Sequence, residues 1–214
     1  MNILVACEES QTLTSALRLL GHNAFSCDIV RCSGGHPEWH INDDVLKYLH
    51  YSWDMLFAFP PCTFLTVAGN RHLSSPGRLE SRLAAAEFFM KFVNCDHIPH
   101  RCIENPVGYM NTHYRKPDQI INPYDFGDTF SKRTCLWLFN LPLLVPDYQI
   151  PRPEPIYIQS NGKRRHFVDC VSGSNRQQLR SKLSFEIGRA MAYQFTNNFF
   201  VLETLAKSGG ICYN

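Results

Sequence analysis

Met55-Leu56-Phe57-Ala58-Phe59, followed at once by Pro60-Pro61-Cys62, is the stretch that most limits the fold. Five apolar residues without polar alternation suit a short strand covered on both faces, and such strands belong to sheets flanked by helices. Prolines have no amide hydrogen, so the pair ends the sheet pairing. The next side chain, Cys62, is then presented at the rim of the sheet, where open α/β folds take ligands. A thiolate on a rigid Pro-Pro turn is a candidate nucleophile. An inert cysteine behind a turn is the competing reading.

The N-terminal part repeats the pattern. Asn2 to Cys7 is another apolar run, ending at Glu8-Glu9-Ser10. Leu13, Leu17 and Leu20 then recur at helical spacing, with Ala16 on the same side, and Gly21 supplies a stop. Ala24 to Cys27 restarts as a strand that ends at Asp28. Strand, helix and strand make a right-handed βαβ unit with parallel neighbours. Cys32 to His40 reads as a loop, and Asn42-Asp43-Asp44 as a helix N-cap. Thr66 to Pro76 is polar and reads as a mobile loop over the site.

Leu79 to Val93 is the clearest helix, with Leu83, Glu87 and Met90 on one side. Arg101-Cys102-Ile103 predicts a brief strand. Glu104-Asn105-Pro106 stops it with a second proline and places Glu104 on the same rim as Cys62. Tyr124 to Arg133 reads as a loop and Thr134 to Phe139 as a strand. Leu141 to Pro155 carries five prolines and is expected to run over the surface. Tyr157-Ile158-Gln159 and His166-Phe167-Val168 flank Ser160-Asn161-Gly162, a hairpin signal. Phe185 to Phe200 is a last helix, with Ile187, Met191 and Phe195 four apart.

A chain of 214 residues fits one domain with a small insertion. A net charge of +2 is too small to argue for nucleic acid by itself. Nine cysteines are an odd number, and Met1-Asn2-Ile3-Leu4 has no signal-peptide pattern, so reduced thiols in a cytoplasmic setting are expected. No apolar run reaches the ~20 residues of a membrane helix. Cys95, His97, His100 and Cys102 are zinc-ligand types, but four ligands within eight residues running into a strand wrap poorly around a tetrahedral ion. No metal site is expected.

A cysteine and an acid on one rim support attack on an electron-poor ring, with the acid hydrogen-bonding a ring nitrogen. A free thiol has a pKa of ~8.5, and Lys132 and Arg133 are candidate cations to favour its thiolate. Asp28 is placed as the acid that meets ribose hydroxyls in nucleotide-binding α/β folds. Lys163, Arg164, Arg165, Arg176, Arg180 and Lys182 could meet phosphates, mixed with Tyr157, His166 and Phe167 for stacking.

Pro60-Pro61-Cys62, Glu104-Asn105-Pro106 and Tyr124 through Thr134 together resemble, in order, the motifs of the DNA methyltransferases that act on carbon 5 of cytosine. In that family a Pro-Cys motif carries the nucleophile, and Cys62 matches it. A Glu-Asn-Val motif brings a glutamate to the cytosine ring nitrogen; Glu104 and Asn105 match, with Pro106 in place of valine. A Gly-x-Pro-Gln-x-Arg-x-Arg segment sets arginines near the base and phosphates. Gly127, Ser131, Lys132 and Arg133 are similar to it, with Asp128 and Thr129 in place of Pro-Gln. Arg180-Ser181-Lys182, Ile187 and Ala190-Met191-Ala192 resemble the ending of small methyltransferase-like proteins encoded by phages and prophages. The resemblance covers about residues 2–142 and 178–196.

What the resemblance implies is a Rossmann-like class I methyltransferase sheet with helices on both faces, built from residues 1–143 and 180–206. A reduced target-recognition insertion would occupy 144–179, and 207–214 would be a loose tail. The cofactor implied is S-adenosylmethionine, held by Ala6, Cys7, Glu8, Glu9, Ser10, Asp28, Asp44 and Pro60. Cys62, Glu104 and Arg133 would be catalytic. Asn105, Ser131, Lys132, Lys163, Arg164 and Arg165 would meet the substrate, which is DNA or another pyrimidine nucleic acid or nucleotide. For a phage-encoded chain the setting is a bacterial cytoplasm. The family's first strand ends in a glycine-rich loop, whereas Ala6 to Ser10 contains no glycine. Two further functions stay open: a methyltransferase-fold binder without catalysis, and Cys62-dependent modification of RNA or a free pyrimidine nucleotide.

Overall fold

The computed structural model describes residues 1–160, 162, 164–165 and 182–207. In chain order the elements are β1 (Asn2–Ala6), α1 (Thr12–Leu19), β2 (Asn23–Cys27), β3 (His40–Ile41), β4 (Met55–Ala58), α2 (Arg78–Val93), β5 (His100–Pro106), α3 (Met110–His113), β6 (Gln119–Ile121), β7 (Thr134–Phe139), β8 (Tyr157–Ile158), β9 (Arg164–Arg165) and α4 (Phe185–Lys207). Seven strands form one sheet in the order β3-β2-β1-β4-β5-β7-β6. β1 is parallel to β2 and β4, β2 to β3, and β4 to β5, while β7 runs antiparallel to both β5 and β6.

The chain winds outward from β1 to β3 and then returns to wind the other way from β4. The order reverses between β1 and β4, and such a switch point opens a crevice at the carboxyl ends of the strands. This is the expected Rossmann-like fold. Alternation along the strands makes both faces apolar. Ile3, Val5, Met55 and Phe57 pack with Leu13 and Leu17 of α1 and Ile187, Met191 and Phe195 of α4. Leu4, Ala6, Leu56 and Ala58 pack on the opposite face with Ala86, Phe89 and Phe92 of α2. Among the described residues no helix is long and apolar enough to cross a membrane.

Several expectations need correction. Leu20 is exposed, because α1 ends at Leu19 and Gly21 turns the chain at φ 84°. α2 buries Arg82, Ala86, Phe89 and Phe92, a face one step away from the exposed Leu83 and Glu87. The 66–76 segment contains a 3-10 helix, Val67–His72, rather than plain loop, and another, Pro123–Phe126, lies within 124–133. β5 runs four residues beyond Cys102, so Glu104 and Asn105 lie inside the strand. The second hairpin strand is Arg164–Arg165, paired with Ile158 and Tyr157, and Gly162 N–H donates to the Gln159 carbonyl. His166 to Val168 and the tail from 208 lie outside the described residues.

Candidate active site

The rim is stepped. β4 pairs with β5 from Met55↔His100 to Ala58↔Ile103 and stops, because the prolines follow. Glu104, Asn105 and Pro106 continue past that point, supported only by Leu136, Cys135 and Thr134 of β7. The extension therefore stands beside the turn that carries Cys62. Asn105 Nδ2 donates to the Pro60 carbonyl at 2.8 Å. Leu65 and Thr66 amides donate to the Cys62 carbonyl at 2.9 and 3.1 Å, folding the chain into a tight turn. Tyr109 N–H donates to the Leu65 carbonyl at 2.7 Å, and Thr66 bridges Gly108. A Cβ on Gly108 would sit 2.0 Å from the Leu65 oxygen, so only glycine permits this approach.

From the other side α2 reaches in with Arg82, which is 4% exposed. Its Nε donates to the Phe64 carbonyl at 3.0 Å and its Nη2 to Asn70 Oδ1 at 2.7 Å, with the guanidinium 5.1 Å from the Tyr109 ring centre. Cys62 is half-buried at the foot of this turn. Sequence reading missed Gly108 and Arg82, since neither carries a motif; the only signal for Gly108 was a glycine two residues after a proline.

Glu104 is 8% exposed, and burial raises its pKa above the ordinary 4.5. The Lys132 charge and a hydrogen bond with Thr134 oppose that rise. Lys132 Nζ donates to the Lys182 carbonyl at 3.4 Å. Of the two neighbouring cations, Lys132 is thus the one whose charge acts on Glu104. Arg133 is exposed, and its charge acts on Cys135. Ser131 Oγ donates to Asn122 Oδ1 at 3.3 Å.

The crevice beside β1 is acidic. Cys7 (φ 59°) and Gln11 (φ 56°) take the left-handed conformation without being glycine. The backbone bend that a glycine-rich loop makes freely is made here at a steric cost of about 1–2 kcal/mol per residue. Glu8 folds back on its own helix. Its carboxyl accepts from the amides of Leu13 (2.6 Å) and Thr14 (3.2 Å) and from Thr14 Oγ1 (2.6 Å). These amides are among the unpaired donors at the start of α1. Burial raises the Glu8 pKa against the pull of those bonds.

Asp28 is half-buried, its pKa also raised by burial, and Oδ1 accepts from Val30 N–H at 2.9 Å. Asp44 caps the short Val45–Lys47 turn, accepting from Leu46 N–H, as its N-cap position predicts. Burial raises the Cys7 thiol's pKa, and the nearby charges of Asp28 and Asp44 raise it further.

The loop after β2 closes over Ser10 and Gln11. A Cβ on Gly34 would meet the Ser10 carbonyl oxygen at 2.5 Å. Gln11 Nε2 donates to the His36 carbonyl (2.7 Å), and Oε1 accepts from His36 N–H (3.0 Å). Ser33 N–H donates to the Glu9 carbonyl at 2.8 Å. Lys182 Nζ reaches Ser33 Oγ at 3.1 Å and Glu9 Oε1 at 3.6 Å. Ala6 is buried in β1, where its carbonyl accepts from Phe59 N–H at 3.0 Å, and Pro60 is buried under the Asn105 bond.

Other candidates fall elsewhere. Cys95 Sγ donates to the Lys91 carbonyl, His97 bonds the Leu49 carbonyl, His100 bonds the Asn140 carbonyl and Cys102 is sunk in the core. Arg164 and Arg165 lie on β9, which pairs with β8 in a separate two-stranded sheet. Lys163, Arg176 and Arg180 lie outside the described residues.

No family model matches the chain, and no curated protein matches it. Among solved structures it is similar to a mutant of Spodoptera frugiperda DNMT2, at 14% identity and a TM-score of 0.43. The match covers 81% of this chain and 60% of that one, so the chain spans less than two thirds of that structure's length.

Proposed function

We propose that this protein methylates carbon 5 of cytosine in nucleic acid, through a covalent adduct with Cys62 and with S-adenosylmethionine as methyl donor. The observation that carries the reading is the bond from Asn105 to Pro60, which fastens the Cys62 turn to the strand bearing Glu104. The crevice suits this cofactor. The Glu8 carboxyl already covers amides at the start of α1 that would otherwise attract a phosphate. Asp28 and Asp44 beside it disfavour further anions and favour a cation such as a sulfonium. Asp28 is then the residue for the ribose hydroxyls, with Cys7 and Asp44 near it.

Bound there, S-adenosylmethionine supplies an electrophilic methyl group. The chain does the rest. Cys62 adds as a thiolate to carbon 6 of the ring. Glu104, whose affinity for a proton burial raises, donates in its protonated form to the ring nitrogen and stabilises the electron density that builds up at carbon 5. Lys132 balances the pocket's charge. Once carbon 5 carries the methyl group, its proton passes to water, and the freed electron pair restores the ring double bond as Cys62 leaves as a thiolate. The base must lie outside a helical stack, because neither ring carbon is reachable within a duplex. Residues 144–179 are the reduced recognition segment in this reading, with the β8–β9 hairpin at its centre.

Oligonucleotides carrying 5-fluorocytosine, incubated with protein and cofactor, test the proposal. A covalent adduct is expected with the wild type and none with Cys62→Ser. No adduct with wild type, or an undiminished one with Cys62→Ser, overturns it.

A further inference from the structure

Next to the Cys62 turn lies an open cleft of about 460 Å³, lined by Phe64, Ser75, Pro76, Gly77, Arg78 and Ser81. Its volume falls in the range of ~300–1,000 Å³ typical of small-ligand sites. Among these lining residues the single charge is the Arg78 guanidinium, and there is no carboxylate. That guanidinium lies over the Phe64 ring, 4.5 Å from its centre, with Nη2 3.4 Å from the Thr63 carbonyl. A planar cation laid on an aromatic face is positioned before any ligand arrives. One turn further along α2, Arg82 lies over Tyr109 but is buried, so Arg78 is the cation that the cleft presents.

Phe64 and Cys62 belong to one turn, and their Cα atoms are at most about 7.6 Å apart. A base held at Cys62 thus has its own backbone within reach of this cleft. Cationic and aromatic side chains in alternation are the usual platform for single strands. The cleft is open rather than closed around one small molecule.

We propose that the cleft seats the phosphodiester flanking the target base, with Arg78 as its charge partner. The substrate is then a nucleic-acid strand rather than a free nucleotide. The proposal rests on the cytosine-methylation reading for the position of the base, but its test does not need chemistry.

Fluorescence anisotropy with labelled single-stranded DNA and RNA oligonucleotides of one sequence, against wild type, Arg78→Ala, Arg78→Gln and Phe64→Leu, checks it. Arg78 is half-exposed in the first turn of α2, where alanine and glutamine are good helix formers, and thermal melts confirm the fold. Loss of a charge-assisted phosphate contact should weaken binding about tenfold or more. The slope of affinity against salt should fall by about one counterion. The DNA and RNA arms show which backbone the cleft prefers. Unchanged affinity and slope in both Arg78 variants would overturn the proposal, as would deoxycytidine monophosphate binding as tightly as the oligonucleotide. Arg78-dependent binding without any fluorocytosine adduct would sink the methylation reading and leave the cleft standing.

Discussion

The Asn105 side-chain amide donates to the Pro60 carbonyl across 2.8 Å, joining two segments 45 residues apart. One contact thereby sets both the height of the Cys62 turn and its distance from the β5 extension. Asn105→Ala removes the donor and leaves a buried carbonyl without a partner, a cost of about 1–3 kcal/mol. A chain of this size then loses roughly 2–4 °C of melting temperature per kcal/mol. Adduct formation with fluorocytosine DNA should fall further than the melting shift explains. Equal adduct rates in variant and wild type would show that the turn holds without this bond.

Gly108→Ala is expected to be as harmful as a core substitution although it adds one methyl group. The new Cβ would lie 2.0 Å from the Leu65 oxygen and 2.9 Å from its carbon. Relieving that overlap should cost about 1–3 kcal/mol. The readout is hydrogen exchange at the Tyr109 amide, which bonds the Leu65 carbonyl. Faster exchange at Tyr109 with little change in β1 is the expected pattern.

Glu8 and Asp28, both acids at strand ends, should separate cleanly. Glu8→Ala strips the acceptor from Leu13 and Thr14 and should cost about 1–2 kcal/mol of stability, as lost helix caps do. Asp28→Asn should not lower the melt at neutral pH, since burial raises the Asp28 pKa as it does that of Glu104, but should weaken S-adenosylhomocysteine binding measured by calorimetry. If Asp28→Asn binds as tightly as wild type, the ribose assignment fails.

Glu104 gives a pH signature. Its folded pKa is raised above 4.5 by burial, with the Lys132 charge and the Thr134 bond opposing. Below the unfolded value the carboxyl is neutral in both states and its contribution is fully present. That contribution is lost as pH rises through the folded value. Glu104→Gln should therefore melt higher than wild type at neutral and alkaline pH, with the gap closing toward pH 4.5. Its adduct formation should lose the pH dependence that titration of Glu104 imposes. A gap that widens on acidification would reverse the sign of the argument.

Much of this was legible in the sequence for a physical reason. Met55 to Phe59 and Pro60-Pro61 specify a strand and its end with local chemistry alone, and Thr134–Phe139 occupies its expected span. Ile187, Met191 and Phe195 recur at helical spacing and are all buried. What stayed hidden was either too short for periodicity to register or held together from far away. α3 and β6 have four and three residues. The pairing of Gln11 with the His36 backbone spans 25 residues and has no local signature. The family resemblance implies a cofactor role for Glu8, but an acid a few residues ahead of a helix start is equally a cap, and its bonds go to the helix. Lys132 and Arg133 are adjacent in the chain, and only their surroundings in the fold show that the Lys132 charge acts on Glu104 and that of Arg133 on Cys135.

Glu8 has one more effect, on competition. ATP and the dinucleotides abundant in any cell grip folds of this kind through phosphate groups laid on the first helix. Here that berth is filled from within, by a side chain tied to Leu13 and Thr14 and nearly shut off from water. A polyphosphate would have to evict a fixture of the protein before it could dock, so the crevice is shielded from the commonest nucleotides without any pocket shaped to refuse them.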